Sequence, residues 1–171
     1  MLDEIRSLVD DGAAIVVADA LAVRQWEAAL AGARTGRVWP SSAIVAYDTW
    51  AREWWSEAGG VALPLSRAQS RALWRATVAA SPEAERLVGI DGPAQWAAAA
   101  HHDLGQALVD PGDLQALGSE PDFAAFLRWC ADYRAVLAAR GWTDDARLAA
   151  DLLSAGAPQP RTLVVAEPLE Q

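Results

Sequence analysis

Two short segments rich in apolar residues lie near opposite ends of the chain, and they constrain its fold more than any other feature. Residues 13–18 form a continuous apolar run, AAIVVA, and residues 161–166 read RTLVVA. Short segments of this kind, rich in Val, are typical of parallel strands buried on both faces. The second segment therefore predicts a strand that completes a sheet begun by the first, with most of the chain inserted between them.

The first strand is followed by a pattern of alternating helix and strand. Asp19 is placed to cap a helix over residues 20–31, and Gly32 is placed to end it. A second strand is predicted at residues 43–46, and a second helix at residues 48–58. The front of the chain therefore reads as strand, helix, strand, helix.

A helical block occupies the middle of the chain. Ser66 is predicted to cap a helix that runs to about Ala80, and Thr143 to cap the last helix, which ends near Ser154. Proline at the first helical position favours further helix starts at Pro82, Pro93, Pro111 and Pro121. We therefore predict a predominantly helical α/β fold with a partial parallel sheet. The predicted division is residues 1–62, a helical insertion at 63–140, and a return to the sheet at 141–171.

The composition excludes several kinds of chemistry. All 14 basic residues are Arg, so a phosphate-binding P-loop lysine and a Schiff-base lysine are both excluded. The first strand-to-helix junction, from Ala18 to Arg24, also lacks Gly, so we predict no nucleotide and no other cofactor. The net charge of −9 argues mildly against strong DNA binding by this chain alone.

Other candidate site residues favour structural roles. The single cysteine, Cys130, excludes an internal disulfide and is predicted to be a core thiol. His101 and His102 are adjacent in a predicted helix, so one is expected to be partly buried and the other solvated. Asp144-Asp145 is interpreted as helix capping rather than a metal site. An acidic N-terminus without a signal-peptide pattern, and no apolar run long enough to span a membrane, predict a cytoplasmic protein.

Nine Trp residues are unusual for this length. Four have apolar neighbours at helical spacing and are predicted to be core residues: Trp26, Trp74, Trp96 and Trp129. Another group lies in or just after a predicted loop with two arginines: Trp39, Trp50, Trp54 and Trp55, with Arg37 and Arg52. That group suits stacking against single-stranded bases. The alternative is that Trp50 and Trp54 dock their helix on the sheet.

The tail of the chain resembles a known family. The segment from Tyr133 to Gln171 is similar to the region that leads into motif II of superfamily 1 (UvrD/Rep-like) helicases, where a strand ends in Asp-Glu. The segment AAIVVADALAVRQWEAAL resembles the strand and helix around motif Ia, and WPSSAIVAYDTWAREWW resembles those of motif Ib. LPLSRAQSRALWRATV resembles the start of the helical 1B insertion.

Almost the whole chain, from about Ala14 to Gln171, resembles a bacterial family of AddB-like DNA repair proteins. These combine an inactivated helicase-like N-terminal region with a C-terminal PD-(D/E)XK nuclease domain. The resemblance implies a partial RecA-like sheet with a 1B-like insertion. It also implies that Ala166 replaces the magnesium-binding Asp of motif II and that Glu167 fills the Glu position. One carboxylate without a phosphate loop does not position Mg·ATP. Because members of this family continue into a second RecA-like domain and a nuclease domain, we expect an N-terminal fragment or a truncated relative.

Two hypotheses about function follow. The first is a non-catalytic helicase-like module that guides single-stranded DNA or scaffolds a helicase or nuclease subunit. Its DNA contacts would come from the loops that resemble motifs Ia and Ib: Arg24, Ser41, Ser42, Tyr47, Thr49 and Trp50. The second is a helical protein-interaction module that makes no contact with DNA. Neither hypothesis involves a membrane. The absence of Lys argues against a PD-(D/E)XK nuclease site within this chain.

Overall fold

Most of the chain can be followed in the computed structural model, which describes residues 5, 7, 8, 13–32, 44–118 and 120–154 and the backbone of 163–165. In chain order the strands and α-helices are β1 (Ala14–Val17), α1 (Ala20–Gly32), β2 (Ile44–Ala46), α2 (Tyr47–Glu57), β3 (Leu63–Pro64), α3 (Arg67–Ala79), α4 (Asp91–Gln106), α5 (Pro121–Arg140), β4 (Trp142–Thr143), α6 (Asp145–Ser154) and β5 (Leu163–Val165). Helical residues greatly outnumber strand residues, so the predicted helix-rich α/β class is confirmed.

The described elements divide into two units. One comprises Met1–Glu57 with Pro158–Gln171, and the other comprises Ala58–Ala157. The first unit holds a three-stranded parallel sheet in the order β2–β1–β5, so all three predicted strands are confirmed. Strand β1 lies at the centre of this sheet, between β2 and β5.

The register of the sheet brings the strand ends together. Val17 pairs with Ala46, and Val16 pairs with Val165, so the carboxyl ends of β1, β2 and β5 share one edge. Helix α1 presents three buried residues at a spacing of four, Ala22, Trp26 and Leu30. They pack in one cluster with the inward side chains of the sheet, Ile15, Val17 and Ile44.

The second unit is a helical bundle with a small sheet at one end. Its core is built by α3, α4 and α5, and it includes Trp74, Val78, Ala97, Tyr133 and Leu137. Strands β3 and β4 form a two-residue parallel pair, in which Leu63 lies opposite Trp142. The sequence analysis did not predict this pair because two-residue strands carry no periodic pattern.

Most helix boundaries agree with the prediction, and the differences have local causes. Ser66 caps α3 in a capping box with Gln69, as its sequence predicts. The segments begun by Pro82 and Pro111 form 3-10 helices, at Ala84–Arg86 and Pro111–Leu117. None of the described helices has the length and apolar character needed to cross a bilayer.

The predicted cap of the last helix was wrong by one residue. Asp144, not Thr143, caps α6, because its Oδ1 accepts a hydrogen bond from the backbone N–H of Arg147 at 3.2 Å. Thr143 belongs to β4, and its hydroxyl donates to Asp151 Oδ2 at 2.8 Å. Thr and Asp both cap helices well, so residue type alone does not show which of the two adjacent residues is the cap. Because Thr143 belongs to the strand, Asp144 takes the cap position.

Candidate functional site

The residues predicted to contact DNA are only partly within the described structure. Tyr47, Thr49 and Trp50 lie in the first turn of α2, and Arg24 is exposed on α1. Ser41, Ser42 and Glu167 lie outside the described residues.

The topology nevertheless places both helix starts at the same edge of the sheet. Helix α1 begins after β1, where Asp19 Oδ1 accepts hydrogen bonds from the backbone N–H groups of Leu21 and Ala22, both at 2.8 Å. Helix α2 begins directly after β2, at Tyr47. Ligands of open α/β sheets bind outside the carboxyl ends of the strands. The edge that carries Tyr47 is therefore the expected place for a ligand.

An aromatic row runs along α2 from this edge. It consists of Tyr47, Trp50 and Trp54, which lie at successive three- and four-residue steps. The ring centroids of Tyr47 and Trp50 are 6.1 Å apart, and those of Trp50 and Trp54 are 4.8 Å apart, each pair tilted by 39°. All three side chains are half-buried, so part of each aromatic surface faces solvent.

The helix predicted at residues 48–58 is confirmed as α2, and Trp50, Trp54 and Trp55 all lie within it. The fully buried residues of that helix are Ala51 and Trp55. The helix therefore buries Trp55, one step round from the row, more deeply than Trp50 and Trp54. Aromatic and small residues lie close together in this part of the sequence. Their positions around the helix axis determine which of them are buried.

The polar groups beside the row include one carboxylate and neutral hydroxyl groups. Asp48 Oδ1 accepts hydrogen bonds from the backbone N–H of Thr49 at 2.8 Å and from its hydroxyl at 3.4 Å. Partial burial raises the pKa of Tyr47, so its hydroxyl is protonated at neutral pH. The row therefore offers ring faces and a phenol donor, with an acidic neighbour that weakens the attraction of phosphates.

A second polar arrangement, which the sequence analysis missed, lies in the helical unit. Tyr133 is fully buried, and its hydroxyl donates to Asp144 Oδ2 at 2.7 Å. The hydroxyl of Ser70 lies 2.8 Å from the Tyr133 oxygen, and it donates there because the phenol proton is used by Asp144. Trp74 stacks on Tyr133 with centroids 4.2 Å apart. Burial first, and then the charge of Asp144, raises the pKa of Tyr133, so the phenol does not act as a base.

His101 adjoins this network. Its imidazole is only 4% exposed, and Nδ1 lies 4.0 Å from Asp144 Oδ2, too far for a direct hydrogen bond. Burial lowers the pKa of His101 despite the opposing effect of Asp144, so the ring is neutral at neutral pH. His102 is exposed, which confirms the prediction of one buried and one solvated histidine.

A cavity of about 480 Å³ opens beside His101. Its walls come from α3, α4 and the start of α6, and they include Arg67, Ser70, Arg71, Asp144 and Asp145. The imidazole also lines a second cavity of about 140 Å³, next to the Asp110–Arg134 ion pair. Cationic side chains, anionic side chains and a neutral imidazole therefore line the larger cavity together.

A third concavity, an apolar groove of about 730 Å³, lies between α4 and α5. Trp96 on its wall is 79% exposed, so the prediction that Trp96 belongs to the core was wrong, whereas Trp26, Trp74 and Trp129 are buried as predicted. Helix α4 buries Ala94, Ala97 and His101, and Trp96 lies off that face. In a helix that is mostly Ala, the buried face cannot be read from residue type.

The remaining candidates are structural. Cys130 is buried, as predicted, and its burial raises the thiol pKa to about 12, which keeps it in the unreactive thiol form. In the part of the chain that the structure describes, no three His, Cys, Asp or Glu side chains come together as metal ligands.

Comparison with known families, with curated proteins and with solved structures found no match to this chain. The residues themselves therefore carry every functional argument. The one signal that would have indicated the Tyr133 network is the cap-like Asp144-Asp145 pair, because a buried cap residue needs a second hydrogen-bond partner.

Proposed function

We propose that this chain is a non-catalytic, helicase-like module that binds single-stranded DNA through the aromatic row of α2. In this proposal the parallel sheet is a partial RecA-like domain, and the helical unit corresponds to the 1B insertion. The arrangement of one sheet interrupted by a helical block between β2 and β5 supports it. The AddB-like resemblance extends the proposal to a role in DNA repair, beside a helicase or nuclease subunit.

The spacing of the aromatic row carries the proposal. The rings of Tyr47, Trp50 and Trp54 follow one another at 6.1 and 4.8 Å at the sheet edge where ligands bind. Half-exposed aromatic rings in series provide stacking faces for successive bases, at about 1–3 kcal/mol per base and with little sequence preference. Arg24 and the hydroxyl of Thr49 would contact the phosphates.

A fluorescence anisotropy titration of a labelled oligothymidylate, at low and at moderate salt, tests this function. We expect saturable binding by the wild type, and about fivefold or greater weakening in Trp50→Leu, since one stacked base is lost. Trp96→Leu is the matched control, because it removes an exposed Trp from the other unit. Equal affinity of the Trp50→Leu variant and the wild type would overturn the assignment to the aromatic row.

A specific observation favours a second candidate function, a protein-interaction module. The groove between α4 and α5 exposes most of Trp96 beside Leu87 and Phe126, and it is bordered by the Arg128–Glu83 ion pair. Exposed aromatic residues in an apolar groove are typical of sites where partner side chains insert. If this groove is the functional surface, the wild type leaves the oligonucleotide unbound even at low salt.

A further inference from the structure

The cavity beside His101 contains a buried polar group that the fold does not use. Within the described residues, neither imidazole nitrogen of His101 makes a hydrogen bond, and no fully enclosed polar side-chain atom lacks a partner. The nitrogens therefore open onto the cavities that the ring lines. A neutral imidazole has one acceptor nitrogen, and a buried acceptor is stabilised when a donor reaches it.

The second acceptor is Asp144. Its Oδ2 accepts one hydrogen bond from Tyr133 and retains a lone pair, and it lies 4.0 Å from His101 Nδ1. In the tautomer whose Nδ1 is unprotonated, a single donor atom placed about 2.9 Å from Nδ1 and from Asp144 Oδ2 makes two hydrogen bonds at once. A ligand atom that carries two or more protons, such as an amino nitrogen, meets this requirement.

The lining of the cavity also includes two cationic side chains. Arg67 and Arg71 lie one turn apart on α3, with Ser70 between them, and both guanidinium groups are exposed at the mouth. Arginine binds carboxylate and phosphate groups in a two-pronged geometry. Asp144 and Asp145 also line the cavity, so its lining carries both signs of charge, and a simple anion alone would be poorly matched.

We propose that this cavity binds a small anion that carries an amino group, with the amine between His101 and Asp144 and the anionic group on Arg71. The volume of about 480 Å³ is in the range of small-molecule sites. Two sources share this chemistry: an amino acid, and a nucleotide whose base has an exocyclic amine. This site is independent of the aromatic row, because it lies wholly within the helical unit.

Matched ligand pairs test the proposal by isothermal titration calorimetry on the full chain. AMP and IMP differ at the exocyclic amine, and L-glutamate and glutarate differ at the α-amine. We expect one amine-bearing member to bind at least tenfold more tightly than its partner. AMP binding assigns a nucleotide site, and glutamate binding assigns an amino-acid site. Equal binding within both pairs, or no binding by any of the four, would overturn the proposal.

Variants of α3 then locate the site. Arg71 is exposed, so Arg71→Gln is expected to weaken ligand binding at least tenfold without altering the fold. Arg75→Gln, one turn further along the same helix and paired with Asp91 outside the cavity, is the matched control. His101→Gln should also weaken binding. Unchanged affinity of the Arg71→Gln variant would place the ligand elsewhere and contradict the proposal.

Discussion

The hydroxyl of Tyr133, in the middle of α5, donates a 2.7 Å hydrogen bond to Asp144 at the start of α6. Asp144 also caps α6 through its other carboxylate oxygen. One buried side chain therefore fixes the end of one helix against the middle of another. The same carboxylate forms part of the floor of the cavity beside His101.

Replacing Tyr133 with Phe should destabilise the protein by about 1–3 kcal/mol, because Asp144 and Ser70 both lose a partner in a buried site. Urea unfolding measures the change. Tyr47→Phe is the control, since Tyr47 makes no hydrogen bond within the described residues, and it should shift the free energy of unfolding by less than about 0.5 kcal/mol. Similar losses in the two variants would show that the Tyr133–Asp144 bond does not stabilise the fold.

The approach of α4 to α6 depends on a glycine. A Cβ atom added at Gly105 would lie 2.1 Å from the carbonyl oxygen of Ala146. Gly105→Ala should therefore destabilise the helical unit by about 1–3 kcal/mol or more, through a forced backbone shift. Gly92, in the same helix, has no neighbour within 4 Å of such an atom. Gly92→Ala should leave the melting temperature unchanged or raise it, and a Gly105→Ala variant as stable as this control would refute the close contact.

Stability should fall as the pH drops below neutrality because of His101. Burial lowers its pKa in the folded protein, from an ordinary value of about 6.5, so the unfolded chain binds the proton more tightly. The stabilising contribution is complete above pH 6.5 or so and is lost as the pH falls towards the folded pKa, with a slope of at most about 1.4 kcal/mol per pH unit.

His101→Gln removes this titration. Urea unfolding between pH 7.5 and 5 or so should give a flatter stability profile for the variant than for the wild type. His102→Gln is the control, because His102 is exposed. Parallel profiles for the wild type and His101→Gln would show that His101 is not responsible for the slope.

Phosphate contact by Arg24 should be visible in the salt dependence of DNA binding. Each neutralised phosphate on a single strand contributes about 0.7 to the slope of log affinity against log salt concentration. Arg24→Gln should reduce the magnitude of that slope by about this amount. Arg75→Gln, an exposed Arg of the helical unit, should leave it unchanged. An unaltered slope in the Arg24→Gln variant would remove Arg24 from the interface.

The sequence predicted the parts of this fold that depend on local patterns. The two apolar segments and the short stretch at residues 43–46 predicted all three strands of the parallel sheet, and Ser66 and Pro121 predicted helix starts. Contacts between distant residues were not predictable, because nothing near Tyr133 in the sequence indicates that its hydroxyl meets Asp144. The prediction that Trp96 lies in the core was wrong for a related reason. In its Ala-rich helix, residue type does not indicate which face is buried. The helix that carries the aromatic row was predicted at residues 48–58, but which of its aromatic side chains stay partly exposed was not.

The central claim is that the aromatic row binds bases, and a comparison of two oligonucleotides tests it most directly. Anisotropy titrations at low salt would compare an oligothymidylate with an abasic strand of the same length and charge. Stacking by the row predicts tighter binding of the thymidylate by about fivefold or more, a difference that Trp50→Leu diminishes. Equal affinity for the two strands, or no binding of either, would contradict the account.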